Sequence, residues 1–268
     1  MKKLIRSLTY GNIWISLAMT SLTISSFLMI DKSIEIIVLL IVFLSTYSGY
    51  NLQSYIATKT SNNKSEIDYW KLENLNKLLI LIILSACIGA VLSIYIYSIK
   101  QLILLFPFFL IVLFYRLKIF GFSFRNIPVL KIILISICFG ALSFFLPYLY
   151  YDVPLNHFSW SLILANSLFV FSITIPFDIR DLKYDSYKYK TLPQILGLKM
   201  AIIVACLAMI ACQILYINNC FYFISILGLL SCVLIIYSHK PRSAMFYLIV
   251  LDGLLILHPV FILLEPLF

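Results

Sequence analysis

Three aspartates in the second half of the chain have side chains and a spacing suited to chemistry. Asp178, Asp181 and Asp185 stand at positions i, i+3 and i+7, which on a helix places all three carboxylates on one face. Like charges on one face repel one another unless a cation lies between them. Hard divalent cations such as Mg²⁺ bind carboxylate oxygens and often bridge them to the phosphates of a substrate. The cluster therefore predicts a binding site for a divalent cation.

Basic residues surround this cluster and carry the charge needed to bind phosphate. Arg180 and Lys183 lie within it, and Lys188 and Lys190 follow it. The alternative is a solvated loop whose mixed charges only terminate a helix, which is the usual meaning of a run of charges. Asp178 argues against this alternative, because it directly follows an apolar segment, and a carboxylate at a membrane boundary is costly and commonly functional.

The composition indicates that the elements holding this cluster lie in a membrane. Of 268 residues, 63% are hydrophobic and only 12% are charged, and the mean hydropathy is +1.04. A soluble domain has about 45–50% apolar and about 25% charged residues. In water this chain could not cover its surface with polar groups, and it is far too apolar to be disordered. We therefore expect an integral membrane protein.

The apolar segments predict an all-α, polytopic membrane bundle of about nine transmembrane helices. A helix needs about 20 mostly apolar residues to cross the bilayer core. The predicted spans are 8–29, 34–57, 77–98, 101–117, 129–150, 158–177, 198–217, 220–237 and 244–264. The longest polar stretch, from Thr58 to Lys77, is too short for a soluble domain. Residues 1–268 are therefore predicted to form a single membrane domain.

The distribution of basic residues predicts how these spans are oriented. Of 20 lysines and arginines, all but Lys32 and Lys100 fall in loops on the side of the N-terminus. By the positive-inside rule that side is cytoplasmic, and the C-terminus is outside. The net charge of +9 has the same explanation and does not indicate nucleic-acid binding. The usage of Ile, Lys, Asn and Tyr is typical of a low-GC bacterial genome, which favours the bacterial cytoplasmic membrane.

Two stretches of the sequence resemble signatures of the UbiA family of membrane prenyltransferases. Asp178-Ile-Arg-Asp-Leu-Lys-Tyr-Asp185, followed by Lys190-Thr-Leu-Pro-Gln-Ile-Leu-Gly197, resembles the second Asp-rich motif of that family. Phe114-Tyr115-Arg-Leu-Lys118 and Arg125-Asn-Ile-Pro-Val-Leu-Lys131 resemble the loop between its fourth and fifth helices, where a Tyr and a Lys face a diphosphate. The predicted helix count and orientation agree with this family over the whole chain.

The resemblance implies a reaction and a set of site residues. Two Asp-rich motifs, after the second and sixth helices, hold Mg²⁺ ions that bind the diphosphate of an isoprenyl donor and stabilise its departure. The prenyl group is transferred to a hydrophobic, often aromatic, acceptor from an apolar tunnel that is open to membrane lipid. On this sequence the resemblance implies the catalytic residues Asp181 and Asp185, the metal ligands Asp178, Asp181 and Asp185, and the substrate-binding residues Asn51, Tyr115, Lys118, Arg125, Arg180 and Lys190.

The first Asp-rich motif of the family is degenerate in this sequence. That motif begins with Asn, which Asn51 matches, and continues with acidic residues at +1, +4 and +8. The residues at these acidic positions are apolar, aromatic and basic: Leu52, Tyr55 and Lys59. Acids at a different spacing follow in the same loop, where exposed acids are usually only solvated: Glu66, Asp68 and Glu73. One metal-binding half of the site is therefore predicted to be missing.

Three functions remain open on the sequence alone. The first is a divergent prenyltransferase with one intact magnesium motif. The second is a catalytically impaired pseudoenzyme that binds isoprenoid or lipid without transferring it. The third is a small-molecule transporter, which should have ionisable residues within its spans. Asp252 and His258 in the last span are the candidates for that role, and the alternative for Asp252 is a helix–helix hydrogen bond.

Overall fold

The apolar runs of the chain form helices, and every regular element in the described residues is helical. The computed structural model describes residues 2–60, 66–115, 127, 129–182, 191–240 and 242–265. The α-helices in chain order are α1 Lys2–Tyr10, α2 Ile13–Met29, α3 Ile36–Thr60, α4 Glu66–Glu73, α5 Leu75–Ile96, α6 Ile99–Phe114, α7 Leu130–Tyr150, α8 His157–Asp181, α9 Leu192–Leu196, α10 Leu198–Asn218, α11 Ile224–Tyr237 and α12 Asp252–Leu263. A π turn, Phe246–Leu251, directly precedes α12.

Six helical segments within the described part of the chain are long and apolar enough to cross a membrane: α3, α5, α7, α8, α10, and the π turn together with α12. α1 and α2 pass the same test as a pair but are bent by 63°. α6 and α11 are apolar and shorter. These helices fall on the segments predicted from the sequence, and the chain is an integral membrane protein with an all-α fold. The count of nine crossings stays a prediction.

The largest departure from the predicted spans is near the N-terminus, where the segment predicted over 8–29 is broken. α1 ends at Tyr10 and α2 begins at Ile13. Between them Asn12 has a left-handed backbone, with φ 61° and ψ 17°, a conformation that asparagine adopts more readily than most residues. α1 packs against α2 and α4 instead of continuing the line of α2.

α8 lies in the middle of the bundle, where it packs against α7 and α10. α7 and α8 approach closely because Gly140 has no side chain, and a Cβ there would collide with the backbone of Ser167. α2 packs against α3, α7 and α12 and completes the core. Large aromatic side chains from three of these helices, Phe27, Phe144 and Phe169, are fully buried.

Short connections join helices that run in alternating directions. The carboxyl ends of α3, α6 and α8 therefore lie at one end of the bundle, which we call the inner end. Contacts between helices agree with this arrangement. Gln53 near the end of α3 donates a hydrogen bond to the carbonyl of Val112 near the end of α6. Lys131 at the start of α7 contacts Asp178 near the end of α8.

Candidate functional site

The first aspartate of the predicted cluster, Asp178, is buried at the inner end of α8. Its side chain is 1% exposed, and its Oδ1 accepts a hydrogen bond from Lys131 Nζ at 2.6 Å. Lys131 lies in the first turn of α7, so this ion pair ties together the inner ends of α7 and α8. Breaking a buried pair by removing one partner is strongly destabilising. The orientation of the Asp178 carboxylate is therefore set by the helix packing.

The second aspartate, Asp181, is the last residue of α8 and is held by its neighbour Arg180. Arg180 Nε donates to Asp181 Oδ1 at 2.7 Å, and Nη2 donates to Oδ2 at 3.1 Å. Such two-point guanidinium–carboxylate pairs are strong and geometrically specific. The guanidinium also lies over the rings of Phe177 and Tyr247, 5.2 and 5.5 Å from their centroids. Asp181 is 28% exposed, so this carboxylate is reachable whereas that of Asp178 is buried.

Asn51, the residue that matches the start of the first motif, stabilises the break between α1 and α2 through hydrogen bonds. Its side chain is buried, and its Nδ2 donates to the carbonyls of Gly11 and Tyr47, both at 3.0 Å. Its Oδ1 accepts a hydrogen bond from Asn12 Nδ2 at 3.0 Å. Asn51 thus fixes the left-handed residue at the break. The substrate-binding role that the resemblance implies for Asn51 stays a prediction.

The helix α4 brings a lysine to the degenerate motif. Lys71 is 7% exposed, and its Nζ donates to Ser54 Oγ at 2.8 Å. Asn12 Nδ2 also reaches Ser54 Oγ, at 3.3 Å. One turn further along α3, Lys59 Nζ lies 4.5 Å from the centroid of the Tyr55 ring. The charged side chains described at the first motif, Lys59 and Lys71, are therefore basic, whereas the family motif has acids.

The acids of the same loop lie around α1 and α4. Glu66 forms a salt bridge with Arg6 at 2.7 Å, in which both side chains are exposed. Asp68 Oδ1 accepts a hydrogen bond from Thr58 Oγ1 at 3.3 Å. Glu66 and Glu73 line a surface cavity of about 160 Å³ with Arg6 and the aromatic residues of α1 and α4. This placement gives no support to these acids as substitutes for the missing motif.

Tyr115 directly follows the last residue of α6, and its side chain is half-buried. Its predicted role in binding the diphosphate stays a prediction. The other predicted site residues lie outside the described residues: Lys118, Arg125, Asp185 and Lys190.

His258, the second candidate for a transporter role, is fully buried in a hydrogen-bonded network. Its Nδ1 lies 2.8 Å from Ser25 Oγ and its Nε2 lies 3.0 Å from Tyr216 Oη. Tyr216 Oη in turn donates to Asn166 Oδ1. These residues come from α2, α8, α10 and α12, so the network joins four helices. The contacts of His258 are those of a residue that fastens helices together.

Several of these residues could not be predicted from the sequence, for a common reason. Lys131 lies in the loop motif without a predicted role at the site, and no pattern in the sequence marks Tyr247 or Lys71. The position of each is set by a contact with a residue of another helix. Only Lys131 had a usable indication, because it is a basic residue at the predicted start of a span on the same side as Asp178.

The donor chemistry at the end of α8 fits the Mg²⁺ that the resemblance implies. Asp178 and Asp181 supply carboxylate oxygens, which are the ligands this ion prefers. In the described part of the chain, no three His, Cys, Asp or Glu side chains come close enough together to hold a metal ion. The third aspartate of the predicted set, Asp185, lies outside that part. The metal-binding role of Asp178, Asp181 and Asp185 therefore stays a prediction.

The fold is shared with solved structures of membrane prenyltransferases. A UbiA homologue from Archaeoglobus fulgidus, solved with GPP and Mg²⁺, superposes with a TM-score of 0.67 at 12% identity, over 96% of this chain and 98% of that one. An apo UbiA homologue from Aeropyrum pernix K1 gives a TM-score of 0.61 at 16% identity, over 92% and 94% of the two chains. A structure of digeranylgeranylglyceryl phosphate synthase gives 0.57 at 19% identity, over 98% of each chain.

These likenesses establish the fold, which is UbiA-like over nearly the whole chain. No family model and no curated protein matches the sequence. The prediction of a UbiA-like all-α membrane fold is thereby confirmed. At such low identities the comparison does not extend to the activity of this chain.

Proposed function

We propose that this chain is a divergent prenyltransferase that moves an isoprenyl group from a prenyl diphosphate to an aromatic or lipid-like acceptor with the help of Mg²⁺. The observation that supports this proposal is the pair of carboxylates at the inner end of α8. Asp178 and Asp181 are each fixed by a basic side chain, Lys131 and Arg180. They stand in a fold shared with proteins whose structures hold GPP or DMAPP together with Mg²⁺.

The residues of this site would have three roles: binding Mg²⁺, orienting the carboxylates and binding the diphosphate. Asp178 and Asp181, with Asp185, would hold Mg²⁺, which when bound neutralises developing charge on the departing diphosphate. Lys131 fixes Asp178 and Arg180 fixes Asp181, so the two carboxylates are oriented before any ligand arrives. The diphosphate would be bound by residues of the loop motifs: Tyr115, Lys118, Arg125 and Lys190.

A second candidate function is a pseudoenzyme that binds a prenyl diphosphate or lipid without transferring the prenyl group. The observation in its favour is the state of the first motif. Asn51 hydrogen-bonds with Gly11, Tyr47 and Asn12, and α4 contributes the buried Lys71, which contacts Ser54 of the same motif. A site with a single metal-binding half can retain binding and lose turnover, because diphosphate departure needs more charge stabilisation than binding does.

The test compares binding and turnover in the purified protein. Mg²⁺ with GPP should raise the melting temperature of the wild type, and Asp181→Asn should abolish that increase. Asp31→Asn, an exposed aspartate just beyond α2, serves as the matched control and should leave the increase intact. No increase in the wild type would refute the transferase and would also refute a pseudoenzyme that binds prenyl diphosphate.

Incubation with GPP and a panel of hydrophobic acceptors then separates the two functions. Diphosphate release that requires Asp181 supports the transferase. An unchanged melting shift without release supports the pseudoenzyme.

We also propose that the inner end faces the cytoplasm of a bacterial cell. This orientation places the basic loops, and the carboxylates of α8, on the side where the positive-inside rule puts lysine and arginine. Cysteine accessibility labelling at positions 31 and 239 in intact cells tests it, since these two positions are on opposite sides. Labelling of position 239 from outside would refute the orientation.

A further inference from the structure

The helix α1 carries its basic and its apolar residues on opposite sides. Basic residues stand at positions 2, 3 and 6, which on a helix fall within an arc of about 100°. Leu4, Ile5 and Leu8 fall within a second arc of about 100° on the opposite side. α1 contains no acidic residue. This pattern is typical of a helix that lies in the interface of a membrane.

The apolar side of α1 is turned away from the rest of the protein. Leu4 is 63% exposed, and Ile5 and Leu8 are partly exposed. Tyr10, on the basic side, is buried, and its ring packs edge-on against Trp70 of α4 with the centroids 6.0 Å apart. A helix on the surface of a soluble protein has the reverse arrangement, with its apolar side against the core. In an integral membrane protein, the partner left for the apolar side of α1 is lipid.

The bend between α1 and α2 directs α1 along the membrane surface. The two helices meet at 63°, and the hydrogen bonds of Asn51 with Asn12 and Gly11 hold the break between them. With nine residues, α1 is about 13.5 Å long, so at this angle it advances only about 6 Å along the direction of α2. An interfacial helix buries its apolar side to a depth of about 5–10 Å. The depth that α1 covers agrees with that layer.

The helix α4 beside α1 also has the residues of a membrane interface. Tyr69 is 59% exposed, and Trp70 contacts Tyr10. Tyrosine and tryptophan are enriched at the depth of the lipid headgroups. The exposed salt bridge between Arg6 and Glu66 joins α1 to α4 on the polar side. α1 and α4 therefore form one surface, with polar and aromatic groups together at the inner end of the bundle.

We propose that α1 lies in the plane of the membrane at the inner end of the bundle and binds anionic phospholipid there. The side with Leu4 enters the boundary of the acyl chains, and the basic residues meet the phosphates of the headgroups. Arg6 is shared with Glu66, so the attraction to anionic lipid is assigned mainly to Lys2 and Lys3. This inference does not depend on the proposed function, because no residue of the magnesium site takes part in it.

The first experiment measures the depth of α1 with Leu4→Trp in the full-length protein. The protein is reconstituted in vesicles of phosphatidylcholine and phosphatidylglycerol whose acyl chains carry bromine either near the headgroup or near the methyl end. The wild type, with its three native tryptophans, gives the background. The additional fluorescence should be quenched more by the shallow bromines than by the deep ones. No quenching would place position 4 in water, and stronger quenching by deep bromines would make α1 part of a crossing. Either result would overturn the proposal.

The second experiment measures the affinity for anionic lipid. The melting temperature of the full-length protein in a neutral detergent is titrated with phosphatidylglycerol and, in parallel, with phosphatidylcholine. Each basic residue near an anionic surface strengthens binding by about 5-fold, so Lys2→Gln with Lys3→Gln should shift the phosphatidylglycerol midpoint by about 25-fold.

The matched control for the second experiment removes the same charge from exposed lysines in the first turns of α5 and α10, also at the inner end: Lys77→Gln with Lys199→Gln. This control should leave the midpoint near that of the wild type. Equal shifts in the two double variants would overturn the binding of anionic lipid by α1, as would a wild type that does not distinguish phosphatidylglycerol from phosphatidylcholine.

Discussion

Asn51→Ala should destabilise the fold through the break between α1 and α2. The substitution removes three side-chain hydrogen bonds, to Gly11, Tyr47 and Asn12. A hydrogen bond contributes about 0.5–1.5 kcal/mol net in soluble proteins, and about 0.6 kcal/mol on average between membrane helices. The carbonyl of Gly11 also loses the amide that it accepts from. Together these losses predict a decrease of about 2–3 kcal/mol in the free energy of unfolding.

The measurement is a reversible unfolding titration in mixed micelles, followed by circular dichroism. Asn76→Ala is the matched control, because Asn76 is an exposed residue in the first turn of α5. That control should change stability by less than about 0.5 kcal/mol, as ordinary surface substitutions do. If Asn51→Ala is no more damaging than the control, the fastening role assigned to Asn51 is wrong.

The same variant also tests the substrate-binding role implied for Asn51. A residue that only fastens the break lowers the stability of the apo protein and leaves the melting increase caused by Mg²⁺ and GPP nearly unchanged. A residue that binds the ligand reduces that increase. The stability of the apo protein therefore reports the fastening role, and the increase in melting temperature caused by Mg²⁺ and GPP reports the binding role.

Three further substitutions, one of them a control, test the packing of the bundle by the same titration. Gly140→Ala should lower the free energy of unfolding by about 1–3 kcal/mol, because the new Cβ collides with the backbone of Ser167. Gly253→Ala, where nothing lies within 4 Å of the added atom, should be neutral or stabilising, and equal effects at both glycines would contradict the close approach of α7 and α8. His258→Leu should cost about 1–2 kcal/mol, because it removes the hydrogen bonds to Ser25 and Tyr216, and unchanged stability would show that the network does not fasten the helices.

The helices of this fold could be predicted because a membrane demands long apolar segments. The end of α6 and the start of α7 fall near the predicted bounds for this reason. The break at Asn12 could not be predicted, since its left-handed backbone depends on Asn51, 39 residues away in the chain. The π turn could not be predicted either. An apolar run has the same sequence pattern whether its backbone hydrogen bonds join residues four or five positions apart.

At the site, too, features set by neighbouring residues could be predicted, whereas contacts between helices could not. The spacing of Asp178 and Asp181 is local and could be read from the sequence, as could the loss of acids at Leu52 and Tyr55. The partner that orients Asp178, Lys131, comes from another helix, whereas the partner of Asp181 is the preceding residue, Arg180. The network around His258 is the extreme case, because Ser25 lies 233 residues away from it.

The break at Asn12 also shortens the first apolar helix, which has consequences for the surrounding lipid. α2 has 17 residues, so at 1.5 Å per residue it spans about 26 Å, against about 30 Å for the hydrocarbon core. The leaflet must thin beside α2, or the polar residues Asn12, Asn51 and Lys71 must lie at the depth of the acyl chains. Either outcome brings polar groups closer to the bilayer midplane beside the start of α2.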